Sequence, residues 1–248
     1  MHKWLHYLPI YESLSDRWVG KPVRFFEIGV FQGGSLRLWR DYFGPDAMLT
    51  GIDINPACRQ YNGLAGQVRI GSQADPKFLI SVVEEMGGLD VLLDDGSHIG
   101  QHQQVSFETL FPLLSEGGLY VIEDLHTSCW GAWGGGFRRP GTGIEFLKSC
   151  VDAMHGHYQN DRLNTSAAIP EIESIQFFDS IAVITKKTST ATQARYGAAA
   201  GAASFRLIKN ALPAHKRPTH SRASSRSASD GQTPFLSGPL RSSRAAAR

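Results

Sequence analysis

The chain is predicted to fold as an α/β protein, a Rossmann-like doubly wound sheet, mostly parallel, with an antiparallel hairpin at one edge. Three observations predict this. Short apolar, strand-like runs alternate with stretches of helical periodicity, the pattern of repeated βα units. Each strand-like run ends in glycine or in polar and acidic residues, as the strands of an open α/β sheet do where they meet a cleft. The last ordered stretch, "SIQFFDSIAVITKK", reads as two apolar runs around Asp179-Ser180, a hairpin signal.

In chain order, "RFFEIG" (Arg24–Gly29) reads as the first strand and "SLRLWRDYF" (Ser35–Phe43) as the helix that follows it. "LTGID" (Leu49–Asp53) is a second strand and Val68–Ile70 a short third. "ADPKFLISVVEEMGG" places Asp75 before Pro76, an N-cap followed by proline at the first helical position. Leu89–Asp94 is a strand, Gln101–Leu114 a helix ended by Gly117-Gly118, and Leu119–Glu123 another strand. Ile144–Tyr158 carries Phe146, Leu147, Cys150, Val151 and Met154 at helical spacing. Near the start, "HKWLHYLPIYE" suits a segment closing over a cofactor, and Tyr7 and Tyr11 within it, at helical spacing, suit a core face equally well.

Periodicity ends near Lys187. The domain boundary is set there: 1–187 as the folded domain and 188–248 as a basic low-complexity tail. The tail is rich in Ala, Ser, Arg, Gly and Pro and has too few large apolar residues to offset the entropy of ordering it, so it is expected to be disordered. From Lys186 onward there are 12 basic residues and one acid, Asp230, whereas 1–185 holds 13 basic and 22 acidic residues. An acidic body with a basic tail disfavours a nucleic-acid enzyme, which would carry its basic patch on the folded domain. Cys58, Cys129 and Cys150 form no C-x-x-C pair, which points to a reducing, cytoplasmic setting. No apolar run approaches a membrane span, and the start lacks the apolar block of a signal peptide.

The carboxyl ends of the strands present Glu27 and "GVFQGGS", then Asp53, then Gly71, Ser72 and Gln73, then Asp94, Asp95 and His98, then Glu123, Asp124 and His126. The glycines Gly29, Gly33 and Gly34 make a G-x-x-x-G-G turn, not the G-x-G-x-x-G of dinucleotide sites. Glu27 just before them repels a pyrophosphate but welcomes an ammonium or sulfonium group. Asp53, ending the second strand, suits the hydroxyls of a ribose. Buried carboxylates are costly unless paired or metal-bound, and the pairs Asp94-Asp95 and Glu123-Asp124 end strands that are plausible neighbours. Carboxylate oxygens suit a hard cation such as Mg²⁺. Alternation along each strand sends one member of each pair into a shared pocket and leaves several ligand sets open.

The glycine turn, its acid and the second-strand Asp resemble class I S-adenosylmethionine-dependent methyltransferases. "DDGSH" followed by "IEDLHTS" is similar to the metal-dependent sugar O-methyltransferases of the macrocin and mycinamicin type, and to the related family labelled cephalosporin hydroxylase. "HYLPIYESL", "FFEIGVFQGGSLRLW", "GIDIN", "GSQADPKFL", "GTGIEFLKS" and "SIQFFDSIAVI" extend the resemblance over nearly all of 1–186 and none of the tail. The resemblance implies Asp95, Glu123 and Asp124 as magnesium ligands and His98 as general base. It implies Gly29, Ser35, Asp53 and Gln73 lining an S-adenosylmethionine pocket, with Glu27 near its amino-acid end and Ser72 on its adenine side. Relatives often carry an acid where this chain has Ser72.

The expected reaction is methyl transfer from S-adenosylmethionine to a hydroxyl of a sugar or glycosylated natural product. Mg²⁺ lowers the pKa of the acceptor hydroxyl, and His98 takes its proton. His126 reads as a supporting or substrate contact, His102 as a helix-surface residue, and Asp94 is left without a single role. Trp130, Trp133 and Phe137, set among glycines in "SCWGAWGGGFRRPGTG", suit a cover over the acceptor. Two rival readings are a noncatalytic methyltransferase-like partner and a nucleic-acid methyltransferase tethered by the tail. A homo-oligomer is a further expectation, since relatives often assemble.

Overall fold

The computed structural model describes residues 3–155 and 171–188. The tail 188–248, apart from Thr188, and the end of the helix expected to reach Tyr158 lie outside the described residues.

Seven strands form one sheet: β1 (Arg24–Ile28), β2 (Met48–Asp53), β3 (Gln67–Ile70), β4 (Leu89–Asp94), β5 (Leu114–Ile122), β6 (Ile172–Phe178) and β7 (Ile181–Lys186). Their order is β3-β2-β1-β4-β5-β7-β6. β1 to β5 run parallel, and β7 is antiparallel to both β5 and β6. The hairpin therefore adds two strands at that edge, β7 and β6. Its two-residue turn is Asp179-Ser180, with Ser180 at φ 64°.

Among the described residues five α-helices cover the sheet: α1 (Tyr7–Ser15), α2 (Gly34–Phe43), α3 (Pro76–Met86), α4 (Gly100–Leu110) and α5 (Gly143–Met154). Period-2 alternation decides which face each strand residue serves. Phe25, Val91, Leu93, Leu119 and Val121 pack with Tyr7, Tyr11, Trp39 and Phe43 from α1 and α2. Phe26, Leu92, Tyr120 and Ile122 pack on the opposite face with Leu79, Val82, Phe107, Leu110 and Leu147 from α3, α4 and α5. Both faces are thus covered, as a largely parallel sheet requires.

Local signals explain most boundaries. Asp75 caps α3 by accepting from the backbone N–H of Lys77 and Phe78, with Pro76 next in line. Thr142 caps α5 by accepting from the Glu145 N–H. One expectation is corrected. The helix after β4 does not run to Leu114 and stop at Gly117-Gly118. It ends at Leu110, a single 3₁₀ turn spans Phe111–Leu113, and β5 begins at Leu114. Pro112 has no N–H to continue the helix, and its ring would crowd the preceding turn. The two glycines lie inside β5, opposite a register shift between Leu89 and Val91.

β2 and β3 lie on one side of β1 and β4 on the other, so the chain reverses its winding between β1 and β4. That crevice is where such sheets bind ligands. At its far end Arg24 clamps the two strands, its Nη2 lying 2.7 Å from Asp90 Oδ1 and its backbone N–H donating to Asp90 Oδ2.

Candidate active site

The loops after β1 and β4 touch across the crevice. Gly29 has φ +100°, and a Cβ built there would stand 2.1 Å from the backbone oxygen of Asp95. Only glycine permits both the conformation and the approach. On either side of this contact lies a cavity, and Gly29, Phe31, Asp95 and Gly96 line both.

The first cavity, about 250 Å³, is bounded by Ile28, Ile52, Asp53, Ile54, Ser72, Gln73, Ser97 and His102. Its polar groups are already engaged. Asp53 Oδ2 accepts from the backbone N–H of Val30 (3.1 Å) and Phe31 (2.9 Å), and Oδ1 from Asn55 N–H (2.8 Å). Asp53 therefore ties the glycine turn to the end of β2. Ser72 Oγ accepts from Ala74 N–H. Gln73 Oε1 accepts from Ser97 N–H at 2.7 Å, and its Nε2 donates to Asp94 at 3.1 Å. His102 is half-buried and faces this cavity, with Nδ1 2.9 Å from Ser97 Oγ, so it is not the helix-surface residue its position suggests.

Asp94 and Asp95 diverge as alternation demands. Asp94 is fully buried under the cavity, where Ser106 Oγ (2.9 Å), Gln73 Nε2 and Tyr120 Oη (3.3 Å) donate to it. Burial pushes its pKa up, against those hydrogen bonds. Asp94 is thus a brace joining β4, β5 and α4. Asp95 points into the cleft.

The second cavity, about 310 Å³, is lined by Lys3, Gln32, Ser35, Asp95, His98 and Asp124 among others. Asp95, His98 and Asp124 each bring a donor atom within 4.8 Å of the others. His98 Nε2 lies 3.9 Å from Asp95 Oδ1 and 3.8 Å from Asp124 Oδ2. Its Nδ1 is buried without a hydrogen-bond partner among the described residues. His98 and Asp124 both hold positive φ (57° and 56°), as do Phe31 and Ser180 beside them. Such conformations in non-glycine residues cost energy and gather at functional sites. Two carboxylates and an imidazole converging on one point, with a nitrogen left unsatisfied, fit a hard divalent cation and a proton acceptor.

Glu123 stands beside this trio. Its Oε1 accepts from Lys3 Nζ (2.5 Å) and from Tyr11 Oη. Lys3 Nζ also donates to Asp95 Oδ2 at 2.7 Å, so one ammonium joins Asp95 to Glu123. Burial acts to lower the Lys3 pKa, but the charges of Glu123, Asp95 and Glu27 raise it well above its ordinary value. Burial likewise pushes the Asp95 and Glu123 carboxyls up, against the pull of Lys3. Acids gathered this closely call for a cation. Tyr7 Oη donates to Asp124 Oδ1 at 2.8 Å.

Ser35 lines the same cavity, and its Oγ donates to Glu27 Oε2 at 2.7 Å. Glu27 itself is fully buried and also accepts from Trp39 Nε1 at 3.3 Å, so it supports the cavity from beneath. Burial raises its pKa to about 7. Beside Asp124, whose Oδ1 is 4.0 Å away, His126 Nδ1 lies 2.5 Å from Ser180 Oγ, and its ring contacts both Trp4 and Trp130. Trp130 in turn packs on Trp133. Phe137 is almost wholly exposed and outside this cluster.

The N-terminal stretch is expected from sequence to close over the cofactor, but the pairing of Lys3 with the acids and the contact of Trp4 with His126 have no sequence signal. A single lysine among aromatics has no pattern, and only the fold brings it 92 positions forward to Asp95. Tyr7 and Tyr11 did carry a signal, since two tyrosines one turn apart present two hydroxyls on one face.

Residues 26–125 match a family described as a methyltransferase domain. The chain is 39% identical over 201 residues to the 8-demethyl-8-(2-methoxy-alpha-L-rhamnosyl)-tetracenomycin-C 3'-O-methyltransferase of Streptomyces olivaceus, covering 74% of this chain and 50% of that one. It is 37% identical over 165 residues to the mycinamicin VI 2''-O-methyltransferase of Micromonospora griseorubida, covering 60% of this chain and 40% of the relative. The chain thus spans half or less of the length of these relatives. Among solved structures, MycE methyltransferase from the mycinamycin biosynthetic pathway, in complex with Mg, SAH and mycinamycin VI, superposes with a TM-score of 0.67 at 33% identity. That match covers 75% of this chain and 50% of MycE. Residues 26–125 thus match a methyltransferase-domain family, and the chain is similar to part of the macrocin-, mycinamicin- and tetracenomycin-type sugar O-methyltransferases.

Proposed function

We propose that this chain is an S-adenosylmethionine- and magnesium-dependent O-methyltransferase that methylates a sugar hydroxyl of a glycosylated natural product, with residues 1–187 as the methyltransferase domain and 188–248 as an accessory basic tail in a cytoplasmic enzyme. The observation that carries this reading is the contact of Gly29 with Asp95. It sets a cavity suited to a nucleoside directly against a cluster of acids around His98. The names and bound groups of the similar proteins support it.

In this reading Gly29, Asp53, Ser72 and Gln73 receive the nucleoside of S-adenosylmethionine, and Ser35, held by Glu27, borders its amino-acid end. Asp95, Glu123 and Asp124 hold Mg²⁺, which when bound would supply Lewis-acid charge to the acceptor hydroxyl. The transfer moves a methyl group from sulfur to oxygen and releases one proton. His98 receives that proton at Nε2, the nitrogen that faces Asp95 and Asp124. Tyr7 holds Asp124 in place. Trp4, Trp130 and Trp133 offer aromatic faces at the mouth, where the apolar face of a sugar ring or its aglycone can stack.

The test is transfer of labelled methyl from S-adenosylmethionine to a panel of glycosides, with Mg²⁺ and with a chelator, alongside calorimetry of S-adenosylmethionine binding. Metal-dependent labelling of a glycoside is expected. A chain that binds no S-adenosylmethionine would end this reading.

A further inference from the structure

Lys3 is the one cation set into the acid cluster among the described residues. Its side chain is 2% exposed, and its ammonium lies 2.7 Å from Asp95 Oδ2 and 2.5 Å from Glu123 Oε1. The two residues that follow are largely in solvent, Trp4 at 54% and Leu5 at 83% exposure. Apolar burial therefore does not hold this segment down. Its charge does, aided by the tilted ring contact of Trp4 with His126 and by His6 Nε2, 3.1 Å from the Asp179 carbonyl.

The ammonium sits between two of the three carboxylates assigned above to Mg²⁺. It carries one charge and leaves Asp124 to Tyr7 and His98. A divalent ion held by Asp95, Glu123 and Asp124 would draw on two of the carboxylates that Lys3 pairs with, at twice the charge. Where water screens them poorly, two cations on one carboxylate repel strongly. The exchange is therefore one for the other.

We propose that Lys3 is an internal competitor for the metal: it occupies the Asp95–Glu123 position in the metal-free chain and leaves when a divalent cation binds, releasing segment 3–6 from the mouth of the site. This rests on the metal assignment made above. It couples cation binding to opening, because Lys3 lines the cavity and the neighbouring Trp4 contacts His126 beside it, where the acceptor is proposed to enter. The device also keeps the acids paired when no metal is present, which an empty acid cluster could not do cheaply.

Two measurements on the full chain test it. Calorimetric titration with Mg²⁺, repeated with Mn²⁺, should show that Lys3→Met binds about tenfold tighter than wild type, since the competing state is removed. Equal or weaker binding by Lys3→Met would overturn the competition. Hydrogen exchange on the unmodified chain is independent of how the variant folds. On adding Mg²⁺, amides of residues 4–11 should exchange faster, and unchanged or slower exchange would overturn the release. If wild type binds Mg²⁺ but Lys3→Met matches it, only the role of Lys3 fails. If neither chain binds either ion, the metal assignment fails with it.

Discussion

The two cavities that meet at Gly29 are built on opposite principles. On the β2 side the polar groups are already satisfied by the protein: Asp53 by three backbone N–H groups, Gln73 by Ser97 and Asp94. On the β5 side the groups are left wanting. Carboxylates crowd together, one His98 nitrogen has no partner among the described residues, two residues hold left-handed backbone, and Lys3 supplies the missing charge. A ligand entering the first finds a preformed surface. A ligand entering the second completes a structure that is otherwise costly. Binding and chemistry are thus expected to respond separately to mutation, although Asp95 and Gly29 line both cavities.

Asp124→Ala offers the largest break. Asp124 lines only the second cavity, so turnover should fall by about 10³-fold or more while S-adenosylmethionine affinity stays within a few-fold. Steady-state rates and calorimetry on the same preparation decide this. Equal losses of both would mean that the two cavities are one cooperative unit.

His98→Gln comes next. The expected loss in kcat is about 10²- to 10³-fold, with Mg²⁺ affinity nearly retained. A variant that also loses Mg²⁺ would make His98 a ligand, as its place within the 4.8 Å trio permits, and not a base.

On the preformed side, Asp53→Ala should raise the dissociation constant for S-adenosylmethionine by about 10- to 100-fold, the weight of one or two lost hydrogen bonds to a charged group, with Mg²⁺ affinity unmoved. The variant also frees the Val30 and Phe31 amides, so part of the loss belongs to a slackened glycine turn. Asp53→Asn, which keeps an acceptor, should recover some of it. An unchanged constant in Asp53→Ala would remove Asp53 from the binding surface.

The same division governs what could be read from residues alone. The fold was legible because its signals are local: Asp75-Pro76 starts α3, and apolar runs mark the strands. Where the reading failed, at Pro112 and Gly117-Gly118, a proline that ends a helix and glycines inside a strand carry the same local look as a helix stop and a turn. The acids and His98 were legible because they sit at strand ends, where periodicity places them. The difference between Asp94 and Asp95 was not, since alternation says that they diverge but not which faces the cleft. Ser106 and Tyr120, distant in sequence, decide that. Lys3 was beyond reach for the same reason, its partners being 92 and 120 positions away.

Glu27 tests where the boundary between the two halves falls, and with the smallest effect. It is buried beneath Ser35, and burial raises its carboxyl pKa to about 7, against the opposing pull of Lys3 and the Ser35 hydroxyl. In the unfolded chain the group titrates near 4.5. Between these values the folded chain holds a proton that the unfolded chain has released, so the stability from this group is full below pH 4.5 and falls as pH rises through 7. Across that window the metal-free chain should lose about 1–3 kcal/mol from Glu27. Glu27→Gln is neutral at every pH and should flatten that part of the slope, read as urea midpoints from pH 5 to 8. If the slope persists unchanged, the proton is held elsewhere in the acid cluster. Glu27 would then belong with Asp53 on the preformed side, ionised and paired at every pH, and not with the half that needs a cation to complete it.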